Sequence, residues 1–182
     1  MTIYFGDSTN QATATNLKET FDSPCDGSTI ALPSGNLTVG NVTSKMGLTT
    51  SYQDVPGSTL SYTPPSGTLQ VIYRFQFHVG RGSDQPILHV KFYVDGNWAE
   101  HARFSVYSKG SSFVYFTWGI NIGGSTTHAT GRLSSWSSAK TLKLTAREYN
   151  SDNQASIHET QHWDGSGSDE FVMPLIGITA LG

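Results

Sequence analysis

Alternating hydrophobic and polar positions dominate the middle of this chain. From residue 69 to residue 77 every second side chain is apolar, namely Leu69, Val71, Tyr73, Phe75 and Phe77. Side chains of a β-strand point alternately to the two faces of its sheet, so this spacing predicts a strand with one buried face. A shorter strand containing Leu60 and Tyr62 precedes it. The segment Tyr62-Thr-Pro-Pro-Ser-Gly67 predicts a turn between them, because proline cannot donate a ladder hydrogen bond.

The same alternation recurs towards the C-terminus. Leu142, Leu144 and Ala146 alternate with polar residues, and Asp95-Gly96 is a strong hairpin signal after the strand His89–Val94. Further strands are predicted at Arg103–Tyr107, Phe113–Ile122, Lys140–Tyr149, Ser156–Trp163 and Phe171–Ala180. The pattern predicts an all-β fold, a jelly-roll β-sandwich, over residues 47–182.

Residues 1–46 are predicted to form an N-terminal extension. A short helix is expected around Ala14–Phe21, followed by a hairpin of Ser28–Leu32 and Leu37–Val42. A two-stranded hairpin is marginally stable alone. This segment therefore needs the main body or another subunit to pack against, and it is a candidate attachment or assembly element.

The predicted strand Phe113–Ile122 is apolar on both faces. Phe113 and Tyr115 point to one side, while Val114, Phe116 and Trp118 point to the other. Two explanations remain open: a neighbouring subunit covers one face, or the strand is fully internal.

Composition excludes several functional classes. Only 14% of residues are charged and the net charge is −3, which argues against nucleic-acid binding through clustered cations. No apolar run reaches the length of a membrane span, so no membrane insertion is expected. The single cysteine, Cys25, cannot form an internal disulfide, and we interpret it as an inert loop residue.

One motif matches the zinc-protease pattern by its letters. His158-Glu-Thr-Gln-His162 reads H-E-x-x-H, but that chemistry requires a helix that places both histidines around one metal. The surroundings are rich in strands and turns, and on a strand the two histidines would lie roughly 13 Å apart. We therefore predict no metal site, no cofactor and no enzymatic activity.

Three tryptophans are candidate ligand-binding residues. Trp98, Trp136 and Trp163 each lie beside turn-forming residues, where an indole can stack on a sugar ring while neighbouring polar groups bind its hydroxyls. The alternative is that each tryptophan fills an end of the sandwich.

Several short segments follow one another along almost the whole chain: Met1-Thr-Ile-Tyr-Phe-Gly-Asp7, Asp22-Ser-Pro-Cys-Asp-Gly-Ser-Thr29, Leu32-Pro-Ser-Gly-Asn36, Tyr62-Thr-Pro-Pro-Ser-Gly67, Lys91-Phe-Tyr-Val-Asp-Gly96, Ala146-Arg-Glu-Tyr-Asn150 and Trp163-Asp-Gly165. In their order and coverage the chain resembles small virion structural proteins of marine tailed, cyanophage-like phages. This resemblance implies a homotrimeric jelly roll like those at tail-fibre tips, made in the host cytoplasm and placed in the virion. Its implied partners are itself, other virion proteins and a host-surface glycan.

Two further functions remain open at this stage. The chain could be a capsid decoration or head-fibre protein that docks on capsid subunits through its N-terminal segment. It could also be a carbohydrate-binding module outside any virion.

Overall fold

The computed structural model describes residues 16–81, 85–107, 110–161, 163–165 and 169–182. These residues form sixteen strands and three short 3-10 segments, the latter at Glu100–Ala102, His128–Thr130 and Trp163–Gly165. The strands in chain order are β1 (Leu17–Pro24), β2 (Thr29–Leu32), β3 (Gly35–Thr38), β4 (Met46–Gly47), β5 (Gln53–Asp54), β6 (Leu60–Tyr62), β7 (Gln70–Arg81), β8 (Ile87–Val94), β9 (Asn97–Trp98), β10 (Phe104–Tyr107), β11 (Ser112–Asn121), β12 (Lys140–Glu148), β13 (Ala155–Ile157), β14 (Glu159–Gln161), β15 (Asp169–Phe171) and β16 (Leu175–Leu181).

Two antiparallel sheets make up the body of the protein. The first sheet has the order β1-β16-β7-β13-β4, and β11 also pairs with β7. The second sheet has the order β10-β8-β12-β5, with β6 on β12 and β9 on β8. Two small two-stranded sheets, β2-β3 and β14-β15, complete the fold. The architecture is the predicted all-β jelly-roll sandwich, and no helix among the described residues is long and apolar enough to cross a membrane.

The core lies between the two sheets. Strand β7 buries Val71, Tyr73, Phe75, Phe77 and Val79, and β8 and β12 bury the matching alternate residues of the second sheet. The Tyr73 and Phe92 rings lie 5.1 Å apart between centroids, joining the sheets. The predicted alternation is therefore confirmed for these strands. Leu69 is the exception, because it precedes β7 and is 64% exposed.

The Pro64-Pro65 turn carries the chain from one sheet to the other. Strand β6 pairs with β12 in the second sheet, whereas β7 lies in the first. The Thr68 hydroxyl donates to the Pro65 carbonyl oxygen at 2.7 Å and closes the turn. The two strands of this segment thus open the sandwich by lying in different sheets.

The N-terminal segment differs from its prediction. Residues 17–24 form strand β1, which pairs antiparallel with β16, so the expected helix around Ala14–Phe21 is wrong over its described part. Alternate residues Glu19, Phe21 and Ser23 are buried. Pairing with β16 stabilises the strand, whereas an isolated helix of this length would be only marginally stable in water. Both β1 and β4 belong to the first sheet, so the boundary predicted after residue 46 cuts through that sheet.

The two ends of the described chain lie side by side. The Asn16 backbone N–H donates to the Gly182 carbonyl oxygen at 2.6 Å, and the Gly182 N–H donates back at 2.8 Å. A hairpin is also present in the N-terminal segment, with Ile30 opposite Leu37 in β2 and β3, but its second strand is Gly35–Thr38 and not the predicted Leu37–Val42.

Candidate functional site

An aromatic and cationic groove lies on the outer face of the second sheet. Because β8 buries Leu88, Val90 and Phe92, its intervening residues His89 and Lys91 face outward. The groove encloses about 460 Å³, and its outward side chains are Tyr52, His89, Lys91, Trp98, Arg103 and Ser105. We call it the Tyr52–Trp98 groove.

Lys91 occupies the centre of this groove. Its ammonium nitrogen lies 4.0 Å from the centroid of the Tyr52 ring and 4.5 Å from that of the Trp98 ring. The guanidinium carbon of Arg147 lies 5.5 Å from the Tyr52 centroid, and that of Arg103 lies 5.8 Å from the Trp98 centroid. Two aromatic rings and three cations therefore form one connected cluster.

Local sequence brings these side chains together. The Asp95-Gly96 turn has positive φ at both positions, 52° and 78°, and returns the chain so that Trp98 pairs with Tyr93 of β8. The predicted hairpin is thus confirmed, and it places the indole beside Lys91. Tyr52 reaches the same face from the segment before β5 and is 39% exposed.

The groove carries unbalanced positive charge. Arg103 is paired with Glu100 at 2.6 Å, but no carboxylate of the described residues forms an ion pair with Lys91 or Arg147. Arg147 instead donates to the Thr50 carbonyl oxygen at 3.3 Å. Burial and, to a smaller extent, the nearby Arg147 lower the pKa of the His89 imidazole.

Polar groups line the groove beside these cations. The His89 Nδ1 and the Ser105 hydroxyl are hydrogen-bonded at 2.8 Å. Thr145 lies directly opposite Lys91 in the β12–β8 register. Within the described residues, neither its buried hydroxyl nor the buried indole nitrogen of Trp98 has a hydrogen-bond partner. The site thus combines ring faces, hydroxyl and imidazole groups, and positive charge.

Of the predicted tryptophans, Trp98 lies in the groove and Trp136 does not. Trp136 is only 7% exposed. Its indole nitrogen donates to the Tyr62 carbonyl oxygen at 3.1 Å, and its ring packs edge-on against the Tyr62 ring. Most of the Trp136 ring is therefore buried in the sandwich. The side chain of Trp163 lies outside the described residues.

The H-E-x-x-H segment does not form a helix. Strand β13 ends at Ile157, His158 has a φ of 62°, and β14 begins at Glu159. The predicted strand Ser156–Trp163 is therefore broken at His158. His162 lies outside the described residues, and those described contain no group of three side chains that could hold a metal ion.

His158 is instead a buried core residue. Its ring is 0% exposed and packs edge-on against Phe75 and Phe77. Its Nε2 donates to the Pro56 carbonyl oxygen at 3.0 Å, while Nδ1 has no partner in the part of the chain that the structure describes. Burial lowers the pKa of His158 to about 4.

Cys25 is also a core residue. Its side chain is fully buried, and burial followed by the charge of Asp26 raises the pKa of the thiol to about 12. The thiol is therefore protonated at neutral pH, and a reactive nucleophile requires the thiolate.

A second surface feature is the outer edge of β11. In the described part of the chain β11 pairs with β7 only. Phe113 and Tyr115 are 57% and 55% exposed, so the explanation of β11 as a fully internal strand is wrong. A groove of about 620 Å³ separates β11 from β10, the edge strand of the second sheet.

Comparison with known proteins identifies no family. No family matches the chain and no curated protein matches it. Among solved structures, it is similar to the CBM36-1 domain of a multidomain xylanase from the hindgut metagenome of Trinervitermes trinervoides, at 12% identity and a TM-score of 0.37 over 88% of this chain and 96% of that one. It is also similar to the structure of infectious bursal disease virus Gt strain, at 11% identity and a TM-score of 0.26 over 85% of this chain and 47% of that one. At these TM-scores neither similarity bears on function.

Proposed function

We propose that this protein is a non-catalytic attachment domain of a phage virion, a tail or fibre component that binds a host-surface glycan. The observation that carries the proposal is the Tyr52–Trp98 groove on the outer face of the second sheet. Aromatic rings provide apolar surface for the C–H faces of a sugar, and a few placed polar groups fix its orientation. Lys91, Arg103, His89 and Ser105 are the groups that would bind the hydroxyls.

The groove is suited to binding rather than to cleavage. Glycoside hydrolysis ordinarily uses two carboxylates on either side of the scissile bond. No aspartate or glutamate is among the described residues that line the groove. The nearby carboxylates of Glu100 and Asp54 are held by Arg103 and Lys143. A sugar in this groove would therefore be held without being hydrolysed.

The β11 edge supports the homotrimeric part of the proposal. Residues 113–120 of β11 include no charged residue and no proline, two of the features that protect an edge strand from pairing with another chain. Exposed Phe113, Tyr115 and Tyr107 add apolar surface beside it. Association of three copies would cover these groups. Placement in a virion is supported by the sequence resemblance.

Two measurements test the proposal. Light scattering should give a mass three times the 19.7 kDa of the chain. Binding to host cells or their purified surface glycans should be lost in Tyr52→Ala and Trp98→Ala. The variant Leu17→Ala, which truncates an exposed apolar side chain on β1, should bind normally. Binding unchanged in both groove variants would contradict the assignment of the site.

The same measurements distinguish the other functions. A stable monomer that still binds glycan through Trp98 would favour a free carbohydrate-binding module. Localisation in intact particles by electron microscopy separates a tail or fibre component from a capsid decoration protein. The N-terminal docking element expected for the latter includes residues 1–15, which lie outside the described residues.

A further inference from the structure

The Tyr52–Trp98 groove carries positive charge, and a neutral sugar would not interact with it as a counter-ion. We infer that its ligand is an acidic glycan, one that carries a carboxylate or a sulfate next to the ring that stacks in the groove. This inference rests on the proposed function, because it specifies the chemistry of the ligand bound at that same site.

The charge balance of the groove is positive within a negatively charged protein. Lys91, Arg103 and Arg147 all approach the two aromatic rings. Glu100 neutralises Arg103, and the carboxylate of Asp54, beyond Thr145 on the same face, is taken by Lys143 at 2.7 Å. Two cations are left without a carboxylate partner among the described residues, although the whole chain has a net charge of −3.

Lys91 places its positive charge at a defined point of the groove, beside the two aromatic rings. Its ammonium group is held between two ring faces, 4.0 Å and 4.5 Å from their centroids. An ammonium group has three donors, and no hydrogen bond from Lys91 to a protein acceptor is present within the described residues. An anionic group on the sugar would accept a charge-assisted hydrogen bond there, while the sugar ring contacts Tyr52 or Trp98.

The geometry also separates this site from simple attraction of polyanions. An exposed cation cluster attracts any anion, and its affinity falls steeply with salt concentration. Here the Lys91 ammonium group lies against two aromatic rings, so a ligand needs both a ring that stacks and an anionic group. Removal of Trp98 should therefore abolish binding of acidic and neutral sugars alike, whereas removal of the Lys91 charge should weaken binding of acidic sugars only.

The experiment measures calorimetric affinity of the full chain for three oligosaccharide probes. Oligogalacturonate supplies carboxylates, sulfated dextran oligosaccharide supplies sulfates, and unmodified dextran oligosaccharide is neutral. We expect at least one acidic probe to bind roughly tenfold to a hundredfold more tightly than the neutral probe, the range of one charge-assisted hydrogen bond. The tighter of the two acidic probes identifies the anionic group.

Variants assign the preference to Lys91. Lys91→Met keeps most of the apolar stem and should reduce the affinity for the acidic probe to that for the neutral probe, whereas Lys91→Arg should retain the preference. Lys140→Met is the matched control, because Lys140 is paired with Asp95 outside the groove, and it should behave like the unmodified protein. Trp98→Ala should lose binding of every probe.

Different outcomes overturn the two proposals separately. If no sugar binds, neutral or acidic, the proposed function fails. If neutral and acidic probes bind equally and Lys91→Met changes neither, the glycan-binding function stands and the inference about charge is wrong. If single-stranded DNA binds as tightly as the acidic sugars and Trp98→Ala has no effect, the groove is a non-specific polyanion surface and the inference is also wrong.

Discussion

Acid should destabilise this protein through one buried histidine. His158 is inaccessible to solvent, and its pKa is lowered to about 4. In the unfolded chain the same side chain titrates near the ordinary value of 6.5. Between these two values the unfolded state binds a proton that the native state excludes, so the free energy of unfolding falls as the pH falls through this window.

The size of the effect follows from the separation of the two pKa values. Each unit of separation contributes about 1.4 kcal/mol. Lowering the pH from 7.5 to 4.5 crosses most of the window, so the contribution of His158 to this loss is between about 2 and 3 kcal/mol. This is a large share of the roughly 5–15 kcal/mol stability of a typical domain.

Urea unfolding followed by tryptophan fluorescence at the two pH values measures this loss. The comparison protein is His158→Asn, because asparagine tolerates the φ of 62° at this position and does not titrate. The variant should be less stable at pH 7.5, since it loses the ring contacts with Phe75 and Phe77. Its further loss at pH 4.5 should be smaller than that of the unmodified protein by about 2–3 kcal/mol. Equal losses in both proteins would refute this account.

Three further predictions concern packing, a buried hydrogen bond and assembly. Gly57→Ala should lower the free energy of unfolding in urea by about 1–3 kcal/mol more than Gly96→Ala does. Both positions have φ near 80°, but of the two only position 57 would bring the new methyl group against core side chains, at 2.8 and 2.9 Å. Equal losses in the two variants would contradict this. Tyr62→Phe should lower the free energy of unfolding by about 1–3 kcal/mol in the same assay, because it removes the 2.5 Å hydrogen bond to the buried carboxylate of Glu19. An unchanged urea midpoint would mean that water replaces the hydroxyl. Tyr115→Lys places a charge on the exposed β11 edge and should reduce the mass in light scattering to that of a monomer; an unchanged oligomer would move the subunit interface elsewhere.

Much of the core could be predicted from the sequence because its strands are long and buried on one face only. In β7, β8 and β12 each apolar residue that the alternation selects, such as Tyr73, Phe92 and Leu144, is buried. The prediction failed for β1, whose composition permits a helix. Its strand conformation depends on pairing with β16, more than 150 residues away in the sequence, and local patterns do not contain that information.

The candidate site could be predicted only in part, for a similar reason. The position of Trp98 beside a hairpin turn is visible in the sequence, and the alternation of β8 places Lys91 on the outward face. Tyr52 joins them from a segment about forty residues earlier. Trp136 has the same local signal as Trp98, but its indole nitrogen finds an internal acceptor at Tyr62, and no local pattern distinguishes the two environments.

The adjacent ends of the described chain determine how this fold would respond to mechanical force. Asn16 and Gly182 exchange backbone hydrogen bonds where β1 and β16 meet, and the two strands run antiparallel from that point. Tension applied between residues 16 and 182 would therefore open the β1–β16 ladder one bond at a time, like a zipper, instead of shearing all of its bonds together. When force is applied instead between residue 16 and a ligand in the Tyr52–Trp98 groove, only one of the two adjacent ends of the β1–β16 ladder is pulled. The force needed to unfold an attachment domain with this fold should therefore depend on whether it is pulled through its bound ligand or through residues 16 and 182.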